Sequence, residues 1–363
     1  MWRSGVLTTC TRSRSATSAR YRSPALGLAL PAHVLSCRLP LNGDGAVCCL
    51  ACRYFRFRKD DMPLLLQELD VPTNRWGMVE VGNGYSFQPM EALCTFLLRM
   101  STSANNWDRL LPIMGGASTS RYQRAFYYML DHIYDTFKGC VDDITRWAAD
   151  ADVWADAIHA AGAPAPRCIS FIDGTFRPCC RPVRGQRQIY WGYKKLHGLK
   201  FQSVIAPNGL IVDLFGAIVG RRSDSYMLTR SDLLTRMAQL VGLAGAPYYL
   251  YGDPAYPLSM YILRGYKGAM TAAQRAFSTE MSRLRGSVEW GFSLVIADWT
   301  YVDYKKNLKL LQQPIGKMYF VACLLTNMKT CMTASHAFDG YGNEIALKFR
   351  VSPPSLHDYL YPS

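Results

Sequence analysis

Cys168-Ile169-Ser170-Phe171-Ile172-Asp173-Gly174 is the stretch on which the fold turns. A short run of mainly apolar residues leads straight into an aspartate and a glycine, the pattern of a buried strand ending at an acid. Downstream, Leu199–Ile205 and Leu210–Phe215 flank Pro207-Asn208-Gly209, a strong hairpin signal. Ser225–Leu243 reads as helical, Tyr248–Tyr251 as a second buried strand and Ala272–Ala297 as a long helix. A strand, a hairpin and then alternating helix and strand predict a mixed α/β sheet with an antiparallel edge.

Upstream the periodicity is helical. Ala161-Gly162-Ala163-Pro164-Ala165-Pro166 reads as a linker, preceded by a helix over Asp142–His159. Pro89 opens a helix with Ala92, Leu93, Phe96, Leu97 and Met100 on one stripe. Asn106–Met114 reads as a second short helix and Arg121–Phe137 as a third, with Tyr122, Phe126, Met129, Leu130 and Ile133 buried. Three short helices, with Arg121 and Arg124 opening the last, fit a helix-turn-helix outline. The resulting organisation is a basic, unstructured extension over 1–52, a helical region over 53–160, an α/β domain over 167–335 and a tail over 336–363.

The 363 residues carry a net charge of +14, which favours a polyanionic partner, nucleic acid above all. The extension contributes +5 through six arginines and Asp44, so the remaining chain still carries +9. No run reaches about 18 apolar residues, so no spanning helix is expected, and no membrane partner with it. The chain reads as a soluble globular protein. Cys48, Cys49 and Cys52 crowd together, as do Cys179 and Cys180, but no second CxxC pair completes a zinc site. Scattered reduced thiols suit a cytosol or nucleus. The Arg-rich, acid-poor start gives the mitochondrion as the alternative to a nuclear location. No GxSxG elbow supports a serine hydrolase, and the histidines show no metal spacing.

Three acids carry the chemistry. Asp173 ends the first strand, and Asp253 follows Gly252 after the second, ahead of Pro254, which biases it toward extended geometry. Carboxyl ends of neighbouring strands are where open α/β sheets place their sites. Glu289 lies on the long helix, at the margin of a stripe formed by Met281, Leu284, Val288, Phe292 and Val295. Between Val288 and Trp290 it is expected to be partly buried, which is costly unless it is paired or bound to a metal. Three carboxylates on one sheet end suit hard divalent cations such as Mg²⁺, which serve phosphodiester cleavage in pairs. Around them Lys194, Lys195, Lys200, Lys305 and Lys306 join Arg181, Arg184, Arg187 and aromatic residues, a composition that fits a DNA backbone and stacked bases.

At Phe171-Ile172-Asp173-Gly174-Thr175, Gly220-Arg221-Arg222-Ser223-Asp224-Ser225, Tyr251-Gly252-Asp253-Pro254-Ala255-Tyr256-Pro257 and Met281 to Phe292 the chain resembles PIF/Harbinger-type transposases in their DDE endonuclease domain. The resemblance spans roughly residues 168–330. It implies an RNase H-like mixed sheet flanked by helices, preceded by a small all-helical region. It also implies Asp173, Asp253 and Glu289 as catalytic and metal-binding residues, Mg²⁺ with Mn²⁺ as substitute, and DNA as substrate. Asp224 is a candidate accessory residue, and Arg221 and Arg222 are candidate DNA contacts. A Myb-like DNA-binding partner follows from the same resemblance, and a homo-oligomer is compatible with it. One departure stands out: the family carries His-Asp-Ser where this chain has Ser223-Asp224-Ser225. The expected function is a metal-dependent DNA endonuclease that cleaves, and in a full transposase transfers, DNA strands. Its alternative is a domesticated, catalytically weak DNA- or protein-binding descendant.

Overall fold

The structure, a computed structural model, describes residues 50–103, 107, 110–114, 118–303, 305, 308–334 and 343–362. Readings that fall on residues 1–49, on Lys306 and on 335–342 lie outside the described residues.

The N-terminal part is built of α1 (Leu50–Phe55), α2 (Met62–Glu68), a two-stranded hairpin of β1 (Val79–Glu80) and β2 (Ser86–Phe87), α3 (Pro89–Ser101), α4 (Thr119–Phe137) and α5 (Ala151–Ala160). Pro89 opens α3, and the Ser118 hydroxyl caps α4 by accepting from the Arg121 N–H. The apolar stripes read from sequence on both helices are buried. Two expected helices differ. Of the expected helix over Asn106–Met114, Trp107 belongs to a tight helical turn and 110–114 form turns, while 106, 108 and 109 lie outside the described residues. The helix expected from Asp142 starts only at Ala151. Asp143 leaves the helical region, and its carboxylate takes the Thr145 N–H at 2.9 Å and opens a tighter turn over Ile144–Asp150.

The sheet comprises β3 (Cys168–Pro178), β4 (Tyr190–Trp191), β5 (Leu196–Ile205), β6 (Ile211–Val219), β7 (Tyr249–Gly252) and β8 (Ile262–Arg264). Its order is β4-β5-β3-β7-β8, with β6 also on β5. β3, β5 and β6 are antiparallel, and β7 and β8 add in parallel. This is the mixed α/β sheet expected of an RNase H-like fold. Helices α6 (Asp224–Arg230), α7 (Leu233–Ala244), α8 (Ala272–Asp298), α9 (Ile315–Ala334), α10 (Glu344–Phe349) and α11 (Leu356–Leu360) flank it. The single helix expected over Ser225–Leu243 is split, because Asp232 adopts a left-handed conformation (φ 52°) at the start of α7. The expected hairpin is present, with Gly209 at φ +83° between β5 and β6.

β3 differs in one respect that positions the site. It does not stop at Asp173 but runs five residues further along β5, to Pro178↔Gly198. Its parallel partner β7 pairs only as far as Ile172↔Gly252. Asp173 and Asp253 are therefore the next residues along two neighbouring strands, at the point where their shared ladder ends.

α8 brings the third acid. The Thr271–Gln274 capping box starts it, and its far end is held by Lys329 on both Asp298 carboxylate oxygens (2.8 and 2.9 Å) and by Arg56 Nε on the Asp298 carbonyl (2.9 Å). The N-terminal part thus grips the end of the helix that carries Glu289. Lys317 of α9 adds a tie to Asp131 of α4 at 2.6 Å. One hydrophobic core runs through both parts, and it takes in Ala163 and Ala165 of the linker. Part of the expected tail joins it too: Tyr359 is fully buried, and its hydroxyl accepts from Asn327 of α9. That Asn327 also pairs with the backbone N–H and C=O of Ile211 on the outer edge of β6 (2.9 and 2.8 Å).

Close approach of α8 to the sheet depends on Gly291, two residues past Glu289. A Cβ there would collide with Ile205 Cδ1 on β5. Gly291→Ala is expected to lose about 1–2 kcal/mol to overpacking, net of the helix propensity it gains. Ile205→Val removes the colliding methyl group. In denaturant unfolding the double variant should therefore be more stable than the sum of the singles by about 1 kcal/mol. Simple additivity would show that α8 has room to spare.

Candidate active site

Asp173, Asp253 and Glu289 meet at one side chain, Arg285. The Asp173 Oδ2 accepts from Arg285 Nη1 at 2.8 Å. Arg285 Nη2 lies 3.8 Å from Glu289 Oε1 and 4.0 Å from Asp253 Oδ2. Arg285 and Glu289 are four residues apart on α8 and so share a face. Side-chain exposure rises from 15% at Arg285 and 18% at Asp173 to 38% at Asp253 and 66% at Glu289. Glu289 is therefore exposed, not partly buried as expected: Val288 points into the core, but Trp290 turns outward with it, under the Lys348 ammonium at 4.9 Å.

The second oxygens of both aspartates are held by backbone. Asp173 Oδ1 accepts the Gly174 N–H at 2.8 Å, and Asp253 Oδ1 accepts the Ala255 N–H at 2.7 Å. In each case this leaves Oδ2 facing Arg285. Burial pushes the Asp173 carboxyl up to about 6; Arg285 and the Gly174 N–H pull it down, and the charges of Asp253 and Asp224 add to the rise.

Asp224 belongs to the same neighbourhood. A Cβ on Gly174 would come within 2.8 Å of Asp224 Oδ1, so the glycine lets α6 press its first residue against β3 beside Asp173. Lys200, buried on β5, pairs with Asp224 at 3.2 Å, and its ammonium lies 4.5 Å from the centre of the Trp191 ring. Ser223, at the position where the sequence resemblance leads to the expectation of a histidine, caps α6 by accepting the Tyr226 N–H at 3.2 Å. Ser225 donates to the Ala255 carbonyl at 2.9 Å and so ties α6 to the loop behind Asp253. Below that loop the Tyr256 hydroxyl is buried with no partner among the described residues; burial pushes its pKa upward, and the charges of Asp224, Asp173 and Asp253 add to the rise.

The candidate DNA contacts divide. Lys194 and Lys195 are exposed in the turn leading into β5, with Lys194 5.3 Å from the Trp191 ring that also faces Lys200. Arg221 and Arg222 are exposed just ahead of the α6 cap, and Arg222 lies 4.4 Å from the Tyr226 ring. Lys305 is exposed and Lys306 lies outside the described residues. Arg124 is exposed on α4. Arg121 is turned inward, 3.1 Å from Glu91 and 4.0 Å above the Phe87 ring, and serves packing in the helical part. Sequence reading passed over Arg285, although its i,i+4 spacing to Glu289 was visible; nothing local marked the reach to Asp173 and Asp253.

Hard carboxylate oxygens aimed at a common point fit a divalent cation, and Asp173, Asp253 and Glu289 are the residues that would hold it. Among the described residues, however, no three Asp, Glu, His or Cys side chains are arranged to grip one ion, since these acids are turned onto the Arg285 guanidinium. No helix among the described residues is long and apolar enough to cross a membrane.

Neither the curated proteins nor the solved structures contain a match to this chain. The family described as DDE superfamily endonuclease does match, over residues 172–327, from one residue before Asp173 to the Asn327 that secures the edge of β6. Residues 172–327 are thus similar to the DDE superfamily endonuclease domain, and all three acids, Asp224 and Arg285 lie inside the matched stretch.

Proposed function

We propose that this protein is a PIF/Harbinger-type nuclease that cleaves DNA phosphodiesters in the nucleus, with Asp173, Asp253 and Glu289 as its catalytic, metal-holding acids. The observation that carries the reading is their convergence. Three carboxylates, from the point where the β3–β7 ladder ends and from a helix, far apart along the chain, lie within 4.0 Å of one cationic group. Mg²⁺, or Mn²⁺ in its place, supplies polarisation of the phosphoryl oxygen and acidifies the attacking water or 3′ hydroxyl when bound. The protein's own part is orientation. Gly174 and Ala255 N–H groups fix one oxygen of each aspartate, and the capped ends of α8 set the height of Glu289 over the ladder's end. Lys194, Lys195, Arg221 and Arg222, exposed around this acidic centre, hold the DNA backbone. Strand transfer, a Myb-like partner and self-association belong to the same proposal through the family resemblance.

A second reading rests on Ser223. An imidazole expected beside Asp224 is replaced by a hydroxyl committed to capping α6, which favours a domesticated protein that binds DNA with little turnover. Purified protein with Mg²⁺ or Mn²⁺ on plasmid DNA separates the two. Under the nuclease reading, nicking falls by at least about a hundredfold in Asp253→Asn, the loss of several kcal/mol of transition-state stabilisation. Equal nicking by both forms would remove the acids from the chemistry, whereas tight DNA binding with no nicking would establish the domesticated protein.

The basic surface makes its own prediction. Each lost phosphate contact lowers the slope of log affinity against log salt by about 1. Lys194→Ala/Lys195→Ala should therefore flatten that slope by about 2 and weaken binding alike on unrelated sequences. Arg121→Ala, which breaks an inward pair, should lower stability and leave the slope unchanged. Fluorescence anisotropy across a salt series, with thermal melts alongside, reads both; an unchanged slope in the lysine variant would move the DNA path elsewhere.

A further inference from the structure

A cation already stands where the three acids converge. Arg285 is largely buried, one turn before Glu289, and its two terminal nitrogens divide the work: Nη1 is hydrogen-bonded to Asp173 Oδ2, and Nη2 lies between Glu289 Oε1 and Asp253 Oδ2. Asp173 and Asp253 turn towards it the oxygens that their backbone N–H partners leave free. Those are the same oxygens that a divalent ion would need. Resting on the reading of these acids as metal ligands, we propose that Arg285 is a built-in counter-ion that competes with the metal. It holds the carboxylates together in the metal-free protein and must withdraw from Oδ2 of both aspartates for an ion to load.

Two physical points support exchange over coexistence. Like charges disfavour each other strongly at these separations in a partly buried site, so a dication and a guanidinium within about 4 Å of the same oxygens repel by several kcal/mol. Gathering three carboxylates without any cation is likewise unfavourable, and a residue fixed on α8 is present at unit stoichiometry whatever the metal supply. The guanidinium sits on a long stem anchored one helical turn from Glu289, so it can leave the acids without moving the helix.

Mn²⁺ alone, titrated into the full-length protein and followed by the electron paramagnetic resonance of free Mn²⁺, tests this. The proteins compared are wild type, Arg285→Gln, Arg285→Lys and Asp253→Asn. Removing the competing charge should tighten Mn²⁺ binding in Arg285→Gln by about tenfold or more. Arg285→Lys, which keeps the charge but cannot fork between three acids, should fall between Gln and wild type and covers the case in which the Gln variant does not fold. Without metal, the melting temperature should drop in Arg285→Gln and recover on adding Mn²⁺ by more than in wild type. If wild type binds Mn²⁺, Asp253→Asn does not, and neither Arg285 variant binds more tightly, the competition is overturned and the metal-binding reading stands. If none of the four proteins binds Mn²⁺, the reading of the acids as metal ligands falls and the competition falls with it.

Discussion

Three carboxylates cannot share a few ångströms of space unless something positive lies among them, and most of the architecture around the sheet end serves that balance. At an effective dielectric of about 20, two like charges 4 Å apart repel by about 4 kcal/mol. Here the balance is graded by burial. Asp173, well shielded, makes the short hydrogen bond to Arg285; Asp253 and Glu289 lie further from it and nearer to water, which screens what remains. The arrangement tolerates acidity because its least solvated acid has the best partner, and because Asp224, the fourth acid in the neighbourhood, has its own counter-ion in Lys200.

The backbone makes this gathering possible at small steric cost. β3 and β7 lose their mutual hydrogen bonds after Ile172 and Gly252, so the next residue on each strand stands at a ladder's end, where its carboxylate accepts a backbone N–H that follows it, from Gly174 for Asp173 and from Ala255 for Asp253. Gly174 lets Asp224 approach from α6, and Gly291 lets α8 settle onto Ile205. The remote supports matter as much. Arg56 and Lys329 pin Asp298, so the helical N-terminal part and α9 both fix the axis on which Arg285 and Glu289 ride.

How much of this could be read from sequence follows the range of the interactions. Local signals were legible: Pro89 and Ser118 at helix starts, the Pro207-Asn208-Gly209 turn, the stripe from Met281 to Val295, and the two aspartates next to glycines. Breaks set by single polar residues were not. Asp143 and Asp232 end or start helices through backbone geometry that an apolar stripe does not reveal. The extent of β3 was also hidden, because its second half is held by β5 and carries no terminator of its own. For the candidate site, the three acids that the fold brings together were named from sequence, and the cation between them was not. Arg285 lies 112 residues from Asp173, a distance that only the fold closes, and the exposure of Glu289 depends on a turn of α8 of which the sequence shows only the margin.

The charge map then has a simple logic. A polyanion such as DNA is repelled by a bare cluster of acids, yet the chemistry proposed here needs acids at the centre. The protein meets both demands by pairing inside and leaving bases outside. Lys200 and Arg285 are consumed by Asp224 and Asp173, while Lys194, Lys195, Arg221 and Arg222 remain exposed around them. Trp191 links the two zones, with the buried Lys200 ammonium 4.5 Å and the exposed Lys194 ammonium 5.3 Å from its ring centre. An anion arriving at this surface meets exposed lysines and arginines first and, behind them, acids whose charge Arg285 and Lys200 offset only in part.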